Sequence, residues 1–129
     1  MIDYESMSDF EINKAVAESK DLEIAKKQYL DFSDRDENLV LLAGGSCFDP
    51  CNDPQDAWPI IVDEEISISP IQKTDEEIGM AYSTGAWSAS CQIVYDGEIC
   101  LSSENYMFEA ENPLRAAMIV YLMMNEVEQ

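Results

Sequence analysis

Between Phe48 and Pro59 the chain gathers most of the group types that a recognition site uses. Asp49, Asn52, Asp53 and Asp56 are polar handles, Cys51 is a small thiol, and Trp58 is a flat surface on which a base or an aromatic ring can stack. Trp87, Asn112 and Arg115 complete the expected ligand-binding set. Arg115 is the only basic residue after Lys73 and falls in the first turn of an apolar helix. Exposed N–H groups and the positive end of the helix dipole help a guanidinium hold an anion there. Architectural roles compete with this reading. A half-buried arginine ordinarily pairs with a carboxylate, for which Asp49, Asp53 and Asp56 are candidates, and large aromatics such as Trp58 and Trp87 more often fill cores than line sites.

Catalysis has little to stand on. The chain has no histidine, so the usual serine and cysteine triads lack their imidazole base, and no glycine-rich phosphate-cradling motif occurs. No catalytic residue and no cofactor are expected. A metal-dependent hydrolase is the one enzymatic alternative, through Asp63-Glu64-Glu65 and Asp75-Glu76-Glu77, since oxygen ligands suit Mg²⁺ and Ca²⁺. Adjacent carboxylates on a strand or turn point in different directions, and charge runs are usually solvated surface. Four cysteines raise the question of zinc: Cys47 and Cys51 are spaced C-x₃-C, Cys91 and Cys100 lie nine apart, and neither pair makes the tight C-x₂-C knuckle. Free thiols and no bound metal are expected in a reducing compartment.

The elements that must position these groups follow from local chemistry. Ser8-Asp9-Phe10-Glu11 is a capping box, with Met7 and Ile12 placed as a hydrophobic staple, and it predicts a helix from about Asp9 to Ser19 with Phe10, Ile12, Val16 and Ala17 inward. Leu22 to Phe32 is ambiguous between helix and strand. Asn38 to Ala43 reads as a short buried strand closed by Gly44-Gly45. Pro50 and Pro54 forbid regular structure from Phe48 to Pro54, and Asp53 with Pro54 starts a short helix running to Pro59 or slightly beyond. Ile66–Ser69 and Ala86–Tyr95 read as strands. Asp96-Gly97 is a hairpin turn into a returning strand, Glu98–Ser102. Asn112 caps a helix with Pro113 in its first position. Leu114, Ala117, Met118, Tyr121 and Leu122 share one face, and Ile119, Val120 and Met123 make the other side apolar too. The fold class is therefore α+β, a small, mostly antiparallel sheet packed with an N-terminal helix and an apolar C-terminal helix.

The 129 residues make one domain by size, and 47% apolar residues support a real core. Twenty-seven acidic residues against seven basic ones give a formal charge of −20. Such a surface opposes direct binding to nucleic acid and to anionic lipid, whose attraction depends on Lys and Arg. Basic proteins and cations are the partners it attracts. The apolar run from Ala116 to Met124 is far shorter than the roughly 18–20 residues needed to span a bilayer, and the N-terminus shows no secretory signal, so a cytoplasmic location is expected.

Several of these segments carry a family resemblance. Met7-Ser8-Asp9 into Phe10-Glu11-Ile12-Asn13, the loop Phe48–Ile61, Trp87-Ser88-Ala89 and the helix Asn112–Met124 resemble, in order, the NinX family of small tailed-bacteriophage proteins. The acidic stretches Asp31–Asn38 and Thr74–Ile78 carry no such pattern. The resemblance implies phage origin, residence in the cytoplasm of the infected host, and an accessory role that adjusts the host; it transfers no catalytic residue. Two non-enzymatic functions are consistent with it. The one favoured, because the acidic residues are scattered over every segment with no spacing like a phosphate ladder, is a counter-defence sponge that binds a small, nucleotide-like signal through the Phe48–Pro59 loop, a tryptophan and Arg115. The other is an acidic nucleic-acid mimic that occupies the basic cleft of a host protein. The apolar circumference of helix 113–124 further predicts a homo-oligomer, most simply a dimer.

Overall fold

The computed structural model describes residues 3–25, 39–91, 94–95, 98–99 and 106–127. A single turn of 3-10 helix, Tyr4–Ser6, leads into α1, Asp9–Ser19. Both halves of the expected capping box are present: Ser8 Oγ accepts from the Glu11 amide and the Glu11 carboxylate accepts from the Ser8 amide. Ile12, Val16 and Ala17 are buried and Phe10 packs partly against the core. The chain then makes a minimal ribbon, β1 (Val40–Leu41) against β2 (Cys47–Phe48). This strand is shorter than the run Asn38–Ala43 suggests, because Ala43, Gly44 and Gly45 already belong to the turn.

Helix α2 spans Pro54–Asp63, capped by Asp53, whose carboxylate accepts from the Gln55 amide. It passes four residues beyond Pro59. At that position proline removes one intrahelical bond but leaves φ helical, and burial of Ile60 and Ile61 on the core side holds the last turn. Both α1 and α2 end the same way. Leu22 N–H reaches Ala17 O and Asp21 N–H reaches Glu18 O; Ile66 N–H reaches Ile61 O and Glu65 N–H reaches Val62 O. These are Schellman caps, in which the left-handed position normally given to glycine is filled by Asp21 (φ 59°) and Glu65 (φ 54°).

Strands β3 (Ser67–Asp75) and β4 (Met80–Cys91) form a long antiparallel hairpin, and β7 (Tyr106–Ala110) pairs with β4 only from Trp87 to Cys91. The sequence places strands at Ile66–Ser69 and Ala86–Tyr95; the paired segments begin at Ser67 and Met80 and extend to Asp75 and Cys91. Alternation is lost along the added residues because both faces there are solvated, so no burial pattern marks them. A register shift between Pro70 and Gln72 bends the hairpin, with Gly85 in the left-handed region (φ 83°) and Thr84 Oγ1 donating to Ile71 O. Beyond this bend Gln72–Asp75 and Met80–Ser83 project as a two-stranded arm. β5 (Val94–Tyr95) pairs antiparallel with β6 (Glu98–Ile99), as a hairpin about Asp96-Gly97 requires. The turn residues themselves, the rest of the returning strand to Ser102, and the ambiguous segment from Lys26 to Phe32 lie outside the described residues; its first residues, Leu22–Ala25, reach β1's flank through an isolated bridge between Ile24 and Leu42.

Helix α3, Pro113–Val127, is the centre of the molecule. It packs on the sheet formed by β3, β4 and β7 and is flanked by α1 and α2. Seven consecutive residues, Ala116 to Leu122, are buried. Fully burying a side chain such as Met118, Ile119 or Val120 contributes about 1.5–3 kcal/mol, so this one helix supplies much of the core energy. Its apolar circumference is thus covered within a single chain, and α3 needs no second subunit to cover it. Among the described residues no helix is long and apolar enough to cross a membrane. The arrangement is α+β, with the N-terminal and C-terminal helices packed on a sheet.

Candidate functional site

The loop Phe48–Asp53 is held in a polar knot between the N-terminal ends of α1, α2 and α3. At its centre is Asn13, fully buried on the inner face of α1. Asn13 Nδ2 donates to Asp49 Oδ1 at 2.6 Å, and Asn13 Oδ1 accepts from the Cys51 amide at 3.0 Å. Asp49 O accepts from the amides of Asn52 and Asp53 at 3.1 and 2.8 Å, while the Asp49 amide donates to Asp56 Oδ2 at 2.9 Å. Pro50 and Pro54 keep the loop out of strand and helix, and its amides find their partners in these side chains and in the Asp49 carbonyl.

The same knot captures α3. Asn112 caps the helix, its Oδ1 accepting from the Leu114 amide at 2.9 Å, and its Nδ2 donates to Cys51 O at 2.7 Å and Asn52 Oδ1 at 3.2 Å. Asn52 Nδ2 in turn donates to Asp49 Oδ1 at 3.1 Å and to Asp9 Oδ2 at 3.1 Å. Arg115 makes a 2.6 Å ion pair with Asp9, and its other terminal nitrogen donates to the carbonyls of Met7 at 2.7 Å and Tyr4 at 3.1 Å. Its carboxylate partner is Asp9 of the α1 first turn, not Asp49, Asp53 or Asp56. An anion placed at Arg115 would have to displace a charged partner and two carbonyls together.

Six of the nine expected residues therefore meet: Asp49, Cys51, Asn52, Asp56, Asn112 and Arg115. Asp53 stands beside them as the α2 cap. Trp58 does not join. It lies on the outer face of α2, 61% exposed, and Trp87 is half-buried on β4 opposite Pro70 and Ala110. Two contributors escaped the sequence reading, Asn13 and Asp9. Asn13 sits at a core position of α1 between Ile12 and Val16, and a polar residue in that stripe is the signal that a buried partner exists. Asp9 reads locally as a first-turn acid favoured by the helix dipole, which conceals its long-range role.

The charges of this region are tuned by burial. The Cys51 thiol is pushed far above its ordinary range, chiefly by burial and next by the Asp9 carboxylate, so it is a neutral, unreactive group. Burial also raises Asp56 despite the compensating amide of Asp49. Cys91 is raised by burial and then by Glu64 and Glu65, whereas Cys47 is exposed. Among the described residues no cluster of three or more Cys, Asp or Glu is arranged to hold a metal ion.

A groove of about 370 Å³ lies on the other flank of α2, lined by Lys20, Leu22, Phe48, Gln55, Asp56, Pro59, Ile60 and Asp63. It shares Asp56 with the knot but none of Trp58, Trp87 and Arg115. Lys20 is its one cation, and that ammonium is engaged by Glu64 at 3.8 Å and stands 5.1 Å over the Tyr121 ring.

In comparisons with known proteins, the family model described as Bacteriophage P22, NinX matches residues 3–125. No curated protein matches the chain.

Proposed function

From the premise that the chain belongs to the bacteriophage P22 NinX family, we propose that it is a phage accessory protein that acts in the infected host's cytoplasm by capturing a basic host protein. Binding, not catalysis, is its action. The observation that carries this reading is the distribution of charge. Of the described cations Arg115 and Lys20 pair with carboxylates and only Lys14 and Lys73 stand exposed, whereas Glu11, Glu18, Asp21, Glu23, Asp63, Glu65, Glu76, Glu77, Glu109 and Glu111 are exposed on or beside α1, α2, the β3–β4 turn and β7. A surface of this kind steers cationic partners and repels nucleic acid, so its natural target is a protein whose cleft holds nucleic acid.

The small-ligand reading is favoured by one observation, the groove beside α2. Its volume suits a nucleotide-sized molecule and Phe48, Pro59 and Ile60 give it an apolar wall. Asp56 and Asp63 against a single engaged lysine make it a better receptor for a neutral or cationic ligand than for a phosphate ester. One experiment separates the two readings: capture from host lysate at about 50 and 500 mM salt, run beside mass spectrometry of small molecules released by heating. A basic protein retained at low salt, released at high salt, and lost when Asp63, Glu64, Glu65, Asp75, Glu76 and Glu77 are made amides supports the mimic. A released small molecule with no captured protein supports the groove and overturns the mimic.

A further inference from the structure

The projecting arm has one side that nothing in the described structure covers. β4 pairs with β3 along its length, but β7 reaches only Trp87–Cys91, so the amides and carbonyls of Met80–Ala86 that face β7's side of the sheet have no strand beside them among the described residues. Soluble proteins usually protect such an edge with charged side chains or proline. This chain does the reverse. A quarter of its residues are charged, yet Gly79 to Tyr95 contains no Asp, Glu, Lys, Arg or Pro. Met80 and Tyr82, on one face of the strand by its period of two, are 65% and 51% exposed, and Ile78 in the adjoining turn is 67% exposed.

We propose that this edge, Met80–Thr84, pairs antiparallel with the same edge of a second copy of the chain to form a two-fold symmetric dimer. The charge pattern selects a second copy as the occupant. At −20, two copies repel wherever their acidic surfaces face, and the edge strand, which carries no charge of its own, is where they approach with the fewest opposing carboxylates. Antiparallel pairing about Tyr82 sets Met80 opposite Thr84 of the other copy and brings the two Tyr82 rings together on one face. It also sends the acidic turns Asp75-Glu76-Glu77 to opposite ends. The two Met80 positions, each at the foot of its turn, stand about 14 Å apart along the strands at 3.4 Å per residue, beyond a Debye length of about 8 Å at physiological salt. The edge strand itself carries no charge; the nearest described charges are Asp75 and Lys73 on β3, in register with Met80 and Tyr82. The dimer is independent of the function proposed above and uses a different surface from α3.

Sedimentation or light scattering of the full chain over micromolar concentrations tests it. A dimer is expected, and it tightens between about 50 and 500 mM NaCl because salt screens the net repulsion, the opposite sign from association with a basic protein. Tyr82→Lys, which opposes two ammonium groups at the axis, is expected to weaken the dimer roughly tenfold or more, as is Met80→Glu, with unfolding midpoints unchanged at concentrations low enough for the parent to be monomeric, because both side chains are exposed. Trp58→Lys, an equally exposed change on α2, leaves the dimer intact. In a Cys47→Ser background, Tyr82→Cys cross-links two chains on mild oxidation. A monomer at every salt concentration overturns the proposal, as does a dimer that survives both arm substitutions or that Trp58→Lys abolishes.

Discussion

Replacing Asn13 by alanine tests the claim that the polar knot is a structural clasp. The side chain is fully buried and joins at least two groups, the mostly buried Asp49 carboxylate and the fully buried Cys51 amide. An unsatisfied buried amide costs about 1–3 kcal/mol, and loss of a hydrogen bond to a charged acceptor about 1.5–3 kcal/mol. Asp49 keeps its contacts to Asn52, which holds the second figure near its lower end. The sum is about 2.5–4.5 kcal/mol, a large fraction of the 5–15 kcal/mol that stabilises a domain. Equilibrium urea unfolding reads it as a lowered midpoint at unchanged slope. Asn13→Leu separates hydrogen bonding from packing, because it conserves volume and still leaves both partners unpaired; it is expected to cost as much as alanine. A loss below about 1 kcal/mol in both variants would refute the reasoning, since it would mean that the loop finds other partners at no cost.

Arg115→Ala is expected to cost about 2–4 kcal/mol in the same assay, since it removes the ion pair to Asp9 and the hydrogen bonds to the carbonyls of Met7, Tyr4 and Glu5, and Arg115→Lys to recover only part of this, because an ammonium cannot span the two directions of the guanidinium. Glu65→Gly is expected to raise stability by about 0.5–1 kcal/mol by relieving the left-handed backbone at the α2 cap. Asp56 has a folded-state pKa above its ordinary value, so its ionised form disfavours the fold; the penalty is complete above the raised value and disappears below about pH 4. Asp56→Asn should therefore match or exceed the parent in stability at pH 7 and lose that advantage as pH falls, as paired urea titrations would show. Of Cys47, Cys51 and Cys91, a maleimide should label Cys47 first in the native protein and the other two only on unfolding, which peptide mapping would resolve.

Local signals were the legible ones. The capping box at Ser8, the Asp53-Pro54 and Asn112-Pro113 starts and the apolar stripe of α3 each depend on residues within a turn or two of one another, and each element forms where those residues put it. The arm was not legible, because β3 and β4 beyond Pro70 bury neither face and alternation therefore carries no information. Six of the nine expected site residues converge, since prolines and Asx residues crowded into one loop must satisfy their backbone somewhere. The identity of that partner depends on contacts such as Asp9 with Arg115, 106 residues apart, and no local pattern encodes those.

That separation also bears on how the chain is made. Its deepest helix is the last described element to be synthesised, and the elements that precede it have only each other until it arrives: a 3-10 turn, two short helices, two ribbons, and a three-stranded sheet whose apolar side awaits α3. Closure of the core therefore waits for α3 and forms its most distant contacts last, and contacts of such sequence separation slow folding. During that interval the uncharged β4 edge faces other nascent copies on the same message. The strong negative charge of everything around it then acts as a kinetic guard, keeping neighbouring chains apart until each has swallowed its own helix.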